Sequence, residues 1–240
     1  MFDVGNTPLV EFDKIRENEN LACHIFGKME YKNPAGSTKD RIVKQILDDA
    51  IADGRLREGD EIVEATSGNT GIALAAYGGI LGHAVKIFMP ENMSEQRINL
   101  MRHYGAEVVL TPASENVEGS IAAVHEYIET HEHCFLANQF NNLSNTKAHF
   151  ENTAREIWEQ TNGEVDTFIA GIGTGGTLKG VGDFLKAKNP KIYLAAVLPA
   201  ESPHVIQGIG DGFDPPFFKN NENIDEVMKI TNDEATQYFD

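Results

Sequence analysis

The sequence predicts an α/β protein built on open parallel sheets, and three observations carry that reading. Short runs with strand character alternate with helical runs from 61 to 137. The alternation resumes from 167 to 230. Glycine-rich turns at 66–71 and 171–177 sit where strands pass into helices. Strands alternating with helices of this length mean βαβ units, whose strands pair in parallel.

In chain order, Gly5-Asn6-Thr7-Pro8-Leu9-Val10 opens with turn residues and enters a short apolar segment. Residues 13–20 are polar and are expected to form a loop, and 22–29 alternates weakly as a strand would. Pro34 and Gly36 forbid a helix before Ser37. Ser37 with Asp40 three residues on has the form of a helix-capping pair. Ile42, Val43, Ile46, Leu47, Ala50 and Ile51 then recur at helical spacing, and Gly54 stops the run. A strand is expected at 61–65, then a helix at 72–81 that is apolar almost all round and so buried on several faces. Strands at 84–89, 107–110 and 134–137 alternate with helices at 94–104 and 118–130. Gln139-Phe140-Asn141-Asn142 is a polar break. It divides the chain into a smaller α/β domain, 30–142, and a larger one made of 1–29 and 143–240. The larger unit begins with one long amphipathic helix at 145–160, a strand at 167–170, a helix ending at Lys188 and a strand at 192–197. Residues 214–223, rich in Pro, Phe and Asn, read as a surface loop, and 227–230 as a strand. Thr231-Asn232-Asp233-Glu234 starts a helix that meets Asp240 within a few residues. The expectation is a larger domain without its closing elements, in a natural chain that continues or a truncated form.

Composition excludes several classes. A length of 240 residues allows one large domain or two small ones. The 41% apolar and 24% charged content is ordinary for a soluble globular protein. No apolar run is long enough to span a bilayer, and no signal peptide is visible, so a cytoplasmic protein is expected. Cys23 and Cys134 then read as free thiols. A formal net charge of −17 would repel the phosphates of a nucleic acid. His131-Glu132-His133-Cys134 places two imidazoles on one strand face without a partner cluster, so no metal site is expected.

Lys39 falls in the first turn of its helix, the positive end of the dipole. Placement there lowers a lysine's pKa and favours nucleophilic or Schiff-base chemistry; the alternative is a solvated lysine beside Asp40. The 171–177 turn, Gly171-Ile172-Gly173-Thr174-Gly175-Gly176-Thr177, offers backbone N–H groups and two hydroxyls to an anion. Its spacing also fits a dinucleotide fingerprint, but the next strand ends at Val197-Leu198 without the acidic residue that a ribose requires. A compact phosphate fits better. Thr66-Ser67-Gly68-Asn69-Thr70-Gly71 either grips a carboxylate or merely caps a helix, and Gln139 either adds an amide to that anion or closes a turn. A junction lysine, a phosphate cradle and a carboxylate cradle together suggest pyridoxal phosphate and an amino-acid substrate.

These stretches, with Met89-Pro90-Glu91-Asn92-Met93-Ser94 and 206–213, run in the order found in one family. The chain resembles the cysteine synthase (O-acetylserine sulfhydrylase) and cystathionine β-synthase family of pyridoxal-phosphate enzymes over nearly its whole length. Met93-Ser94 and Gln139-Phe140-Asn141 look more like the cysteine synthase branch. The resemblance implies the tryptophan-synthase-β-like fold, fold-type II, with the cofactor between two parallel-sheet domains. It implies that Lys39 holds the cofactor and moves the substrate Cα proton. Gly173, Thr174, Gly175, Gly176 and Thr177 would bind the phosphate, and Asn69 the ring hydroxyl. Thr66, Ser67, Thr70 and Gln139 would hold the substrate carboxylate, and Gly208 would line the open side. It further implies β-elimination followed by addition of sulfide or another thiol, a homodimer, and docking of the C-terminal tail of serine acetyltransferase. Two departures stand out. The family's late serine at the pyridine nitrogen has no match here, and 199–204 is shorter than the family's glycine-containing loop. Asp211 either caps its turn or faces the reacting carbon, where it would favour hydrogen sulfide release from L-cysteine. A truncated, non-catalytic binding paralogue is the remaining alternative.

Overall fold

The structure is a computed structural model that describes residues 3–206, 208–210 and 215–237. The N-terminal segment forms an antiparallel pair, β1 (Leu9–Glu11) and β2 (Phe26–Lys28), joined through α1 (Asp13–Asn18). Residues 13–20 are therefore not a simple loop as their polarity predicts. The six-residue helix buries none of its side chains, so it carries no apolar period to read.

Helix α2 (Lys39–Ala52) follows the Pro34–Gly36 break, and its Ile42, Val43, Ile46, Leu47 and Ala50 are all buried. Next come β3 (Glu61–Ala65), α3 (Asn69–Ile80), β4 (Val85–Pro90), α4 (Glu95–His103), β5 (Glu107–Thr111), α5 (Asn116–Thr130) and β6 (Cys134–Leu136). The four strands form one parallel sheet in the order β5-β4-β3-β6. Period-two alternation sorts its side chains. Ile62, Ile87 and Met89 join the core of α2, α3 and α4, whereas Val63, Ala65 and Phe88 meet α5 on the other face. Burying each such side chain contributes roughly 1.5–3 kcal/mol.

The predicted long helix at 145–160 is instead three pieces. Helix α6 (Ser144–Ala148) runs through a π-helical turn at His149–Thr153 into α7 (Ala154–Gln160). Then β7 (Thr167–Gly171), α8 (Gly176–Lys188), β8 (Tyr193–Pro199), α9 (Pro216–Lys219), β9 (Glu226–Ile230) and α10 (Asn232–Thr236) complete the described chain. Here α9 replaces part of the loop expected at 214–223. Strands β7-β8-β9 form a second parallel sheet. The capping box predicted at Thr231 and Glu234 is present. The π turn has a packing cause: a Cβ on Gly180 of α8 would lie 2.3 Å from the Thr146 carbonyl oxygen and 2.7 Å from His149 Cβ. Two helices meet there almost backbone to backbone, and the i→i−4 ladder gives way. Among the described residues no helix is long and apolar enough to cross a membrane.

One ionic knot ties the N-terminal segment to both halves. Arg41 is 3% exposed. Its guanidinium donates to Glu30 at 2.6 and 2.7 Å, to Glu156 at 2.7 and 2.8 Å, and to Thr7 Oγ1 at 3.1 Å. Lys28 joins Glu156 at 2.7 Å, and the Asn6 N–H donates to Glu156 at 2.8 Å. Two cations and two carboxylates cancel, which is what lets them be buried. Burial alone would raise the Glu156 carboxyl, but hydrogen bonds from Arg41 and Lys28 outweigh it and hold it at about 2. Its stabilisation is complete above the ordinary carboxylate range near 4.5 and is lost as pH falls toward 2. We expect Glu156→Gln to remove about 3 kcal/mol at pH 7 and to flatten the acid limb of the stability curve. Denaturant melts from neutral to acid pH check this.

Candidate active site

The structure joins the 66–70 turn to the 171–177 turn through Gln139 and α6, and α6 packs against α2, which Lys39 opens. Lys39 is half-buried at the first position of α2. The predicted capping pair is half realised. The Asp40 carboxylate reaches back to the Ser37 N–H at 3.1 Å, but Ser37 Oγ accepts from the Lys39 N–H at 3.1 Å rather than from Asp40. Asp40 is fully buried and also accepts from the Ala35 N–H at 2.6 Å and from the Tyr77 hydroxyl at 2.5 Å. The loop bearing Lys39 is thereby fastened to α3.

At the end of β3, Thr66 is buried, and its Oγ1 accepts from the Gly68 N–H at 3.1 Å. Ser67 is half-buried, with its carbonyl accepting from Arg97 at 3.2 Å. Asn69 opens α3 and is half-buried. Thr70 donates its hydroxyl to Gln139 Oε1 at 2.6 Å, and Gln139 Nε2 donates to the Ala65 carbonyl at 3.2 Å. Gln139 thus belongs to the 66–70 turn in space, as its candidate role requires.

The second turn is joined to the first by a residue that sequence reading missed. Asn145, fully buried on α6, donates through Nδ2 to the Gln139 carbonyl at 2.8 Å and to Thr174 Oγ1 at 3.0 Å. Thr174 Oγ1 also accepts from the Gly176 N–H at 3.2 Å. Asn145 Oδ1 makes no hydrogen bond and sits where a Cβ on Gly176 would fall, 1.9 Å away. Gly175 adopts φ +81°, a left-handed conformation that favours glycine. His149, also missed, is buried, with Nε2 3.1 Å from Thr177 Oγ1 and Nδ1 3.0 Å from Thr153 Oγ1. Burial, reinforced by the charges of Lys39 and Arg41, pushes His149 down to about 3. The ring is neutral, so one nitrogen donates while the other accepts. One sequence signal was available: Asn145, His149 and Thr153 recur every four residues, a polar stripe on a helix expected to bury an apolar face.

Gly208 packs against this turn, its carbonyl oxygen 2.6 Å from where a Cβ on Gly173 would lie. Asp211 lies outside the described residues. The two imidazoles at 131 and 133 do not share a strand face. His131 stacks on Tyr127 with ring centres 3.8 Å apart, whereas His133 sits at φ 66° before β6 and faces Asp60 at 3.5 Å.

The family described as "Pyridoxal-phosphate dependent enzyme" matches residues 1–237. The chain belongs to that family. Among its relatives, a cysteine synthase of Staphylococcus aureus is 41% identical over 98% of this chain and 77% of its own length. The crystal structure of a cysteine synthase from Entamoeba histolytica superposes with a TM-score of 0.89 at 44% identity, over 97% of this chain and 72% of that one. A hydrogen sulfide-producing enzyme from Fusobacterium nucleatum superposes with a TM-score of 0.91 at 39% identity, over 98% and 81%. The fold is thus the fold-type II arrangement.

The residues present fit the family's cofactor. Its phosphate requires unpaired N–H groups in a turn that approaches closely. Among the described residues the N–H groups of Thr174, Gly175 and Thr177 donate to no protein acceptor, and the first turn of α8 adds its dipole. Gly176 leaves no room for a side chain, and Thr177 presents a hydroxyl backed by neutral His149. We expect Gly176→Ala to displace Asn145 and weaken pyridoxal phosphate binding at least about tenfold, as read by cofactor titration. The His149 ring protons are expected not to titrate between about pH 5 and 8 in NMR, because its folded pKa lies below that range.

Proposed function

We propose that this protein makes L-cysteine by β-replacement on an activated L-serine, converting O-acetylserine and sulfide into L-cysteine and acetate. The observation that supports this reading is the unbroken hydrogen-bonded line Thr70–Gln139–Asn145–Thr174, which joins the 66–70 turn, proposed here to hold the carboxylate, to the 171–177 turn, proposed to hold the phosphate. Thr66, Ser67, Thr70 and Gln139 hold the amino-acid carboxylate. The 173–177 turn holds the phosphate, Asn69 the ring hydroxyl, and Gly208 lines the rim. Bound pyridoxal phosphate supplies an aldehyde that condenses with amines and a ring that withdraws electrons from Cα. The Lys39 amine holds the cofactor, then removes the Cα proton and later returns it. The Cβ–O bond to acetate breaks, and a Cβ–S bond to sulfide forms. Support for this substrate comes from the cysteine synthases among the relatives.

The proposal places the site between two units, 30–142 and 1–29 with 143–240. Their separate parallel sheets and the position of α6 between α2 and α8 support that division. It extends to a cytoplasmic homodimer that docks the serine acetyltransferase tail. A second reading, sulfide release from L-cysteine, is favoured by likeness to the Fusobacterium enzyme, which is described as hydrogen sulfide-producing. The test is a pair of assays on cofactor-loaded protein. We expect O-acetylserine and sulfide to give L-cysteine faster than L-cysteine gives sulfide, and Lys39→Ala to lower both at least about 10³-fold. Faster sulfide release would favour the second reading. Tail binding without either turnover would make this a non-catalytic binding protein.

A further inference from the structure

We infer that Glu64 is a positioning residue for the amino-acid substrate: its buried carboxylate clasps the 66–70 turn to Gln139. The inference rests on the carboxylate-binding role given above to that turn and to Gln139.

Strands β3 and β6 pair only as far as Val63 and Leu136, after which the Ala137 N–H makes one more bond to the Val63 carbonyl at 3.1 Å. Beyond that point the ladder stops, and the Glu64 side chain takes over. Its Oε1 accepts from the Ala65 N–H at 2.8 Å, and its Oε2 accepts from the Gln139 N–H at 3.0 Å. Gln139 returns its own side chain to the Ala65 carbonyl and to Thr70. Ala65 and Gln139 are therefore linked directly through the Gln139 amide and again through the Glu64 carboxylate.

Glu64 is 2% exposed, and among the described residues no cation pairs with it. An ionised carboxylate offers acceptors on both oxygens, whereas a protonated one turns one oxygen into a donor. Protonation therefore sets an O–H against an N–H and costs the clasp a bond. The groups on neighbouring elements are committed elsewhere. Tyr77 of α3 donates to Asp40, Lys86 of β4 pairs with Glu107, Tyr127 of α5 donates to Glu61, and Cys134 of β6 lies beside Glu61. His125 of α5 lines a cavity of about 250 Å³ that Glu64 also borders. Burial outweighs the opposing backbone N–H bonds and pushes the carboxyl up to about 7. Above that value the clasp is closed; as pH falls through it, the turn and Gln139 lose their brace.

The experiment uses cofactor-loaded wild type, Glu64→Gln and, as a control, His125→Gln. In wild type and in His125→Gln, the backbone amide signals of Ala65 and Gln139 are expected to share one titration near neutrality, which Glu64→Gln lacks. The wild-type KM for the amino acid is expected to rise about tenfold across that titration on acidification, with a smaller change in kcat. Glu64→Gln should hold the high KM at every pH. Amides that do not titrate together, or a Glu64→Gln variant with the wild-type KM profile, would overturn the inference. If Glu64→Gln fails to load cofactor, the wild-type amide titration and KM profile decide alone, and a flat KM overturns it. Shared amide titration in a protein that turns over no amino acid would instead sink the function proposed above and leave the clasp standing.

Discussion

The site depends on one side chain amide that joins two sheets. Asn145 has its Nδ2 hydrogens on the Gln139 carbonyl and on Thr174 Oγ1, so one rigid group measures the distance between the end of β6 and the start of α8. Its helix, α6, packs against α2 on one side and α8 on the other, and Ala148 enters the core of the four-stranded sheet. Ser144 and Lys147 both hold Asp49 of α2, at 2.7 and 2.8 Å. The backbone reaches this geometry because Gly176 and Gly180 let α8 approach where any side chain would collide. Asn145 Oδ1 is buried without a hydrogen bond, a cost that the two Nδ2 bonds and the packing around α6 offset.

A second constraint works from below. Helix α2 starts with three consecutive residues that do different things. Lys39 opens the helix with its charge felt at His149, Asp40 fastens the loop to α3, and Arg41 turns away into the ionic knot with Glu30 and Glu156. At 100° per residue these three directions are fixed relative to one another. The knot thus sets the rotation of α2 and with it the place of Lys39. The N-terminal Asn6-Thr7 segment takes part through Glu156 and Arg41, which gives that opening motif a structural reason to be there.

Much of this was legible in the sequence, and the reasons differ by level. Apolar runs alternating with helical runs marked the strands of both sheets, most clearly at β3 and β4, whose side chains are nearly all buried. The turns at 66–71 and 171–177 were legible because their glycines and hydroxyls are local chemistry. The failures are equally physical. Helix α1 buries nothing, so it leaves no period. The π turn at His149–Thr153 arises where Gly180 draws α8 close, a contact separated by some thirty residues of chain. Glu64 is the second of two glutamates in β3, and only the end of the β3–β6 ladder shows what its carboxylate does. Asn145, His149 and Thr153 left a stripe at four-residue spacing, but Asn145 and His149 reach Thr174 and Thr177, far along the chain and beyond any local pattern.

The central claim is that these constraints converge on one amine. Borohydride reduction of the pyridoxal phosphate-loaded protein, followed by digestion and mass mapping of the modified peptide, tests it directly. The account predicts a single phosphopyridoxyl adduct on Lys39. An adduct on another lysine, or none in protein that has taken up the cofactor, would contradict it.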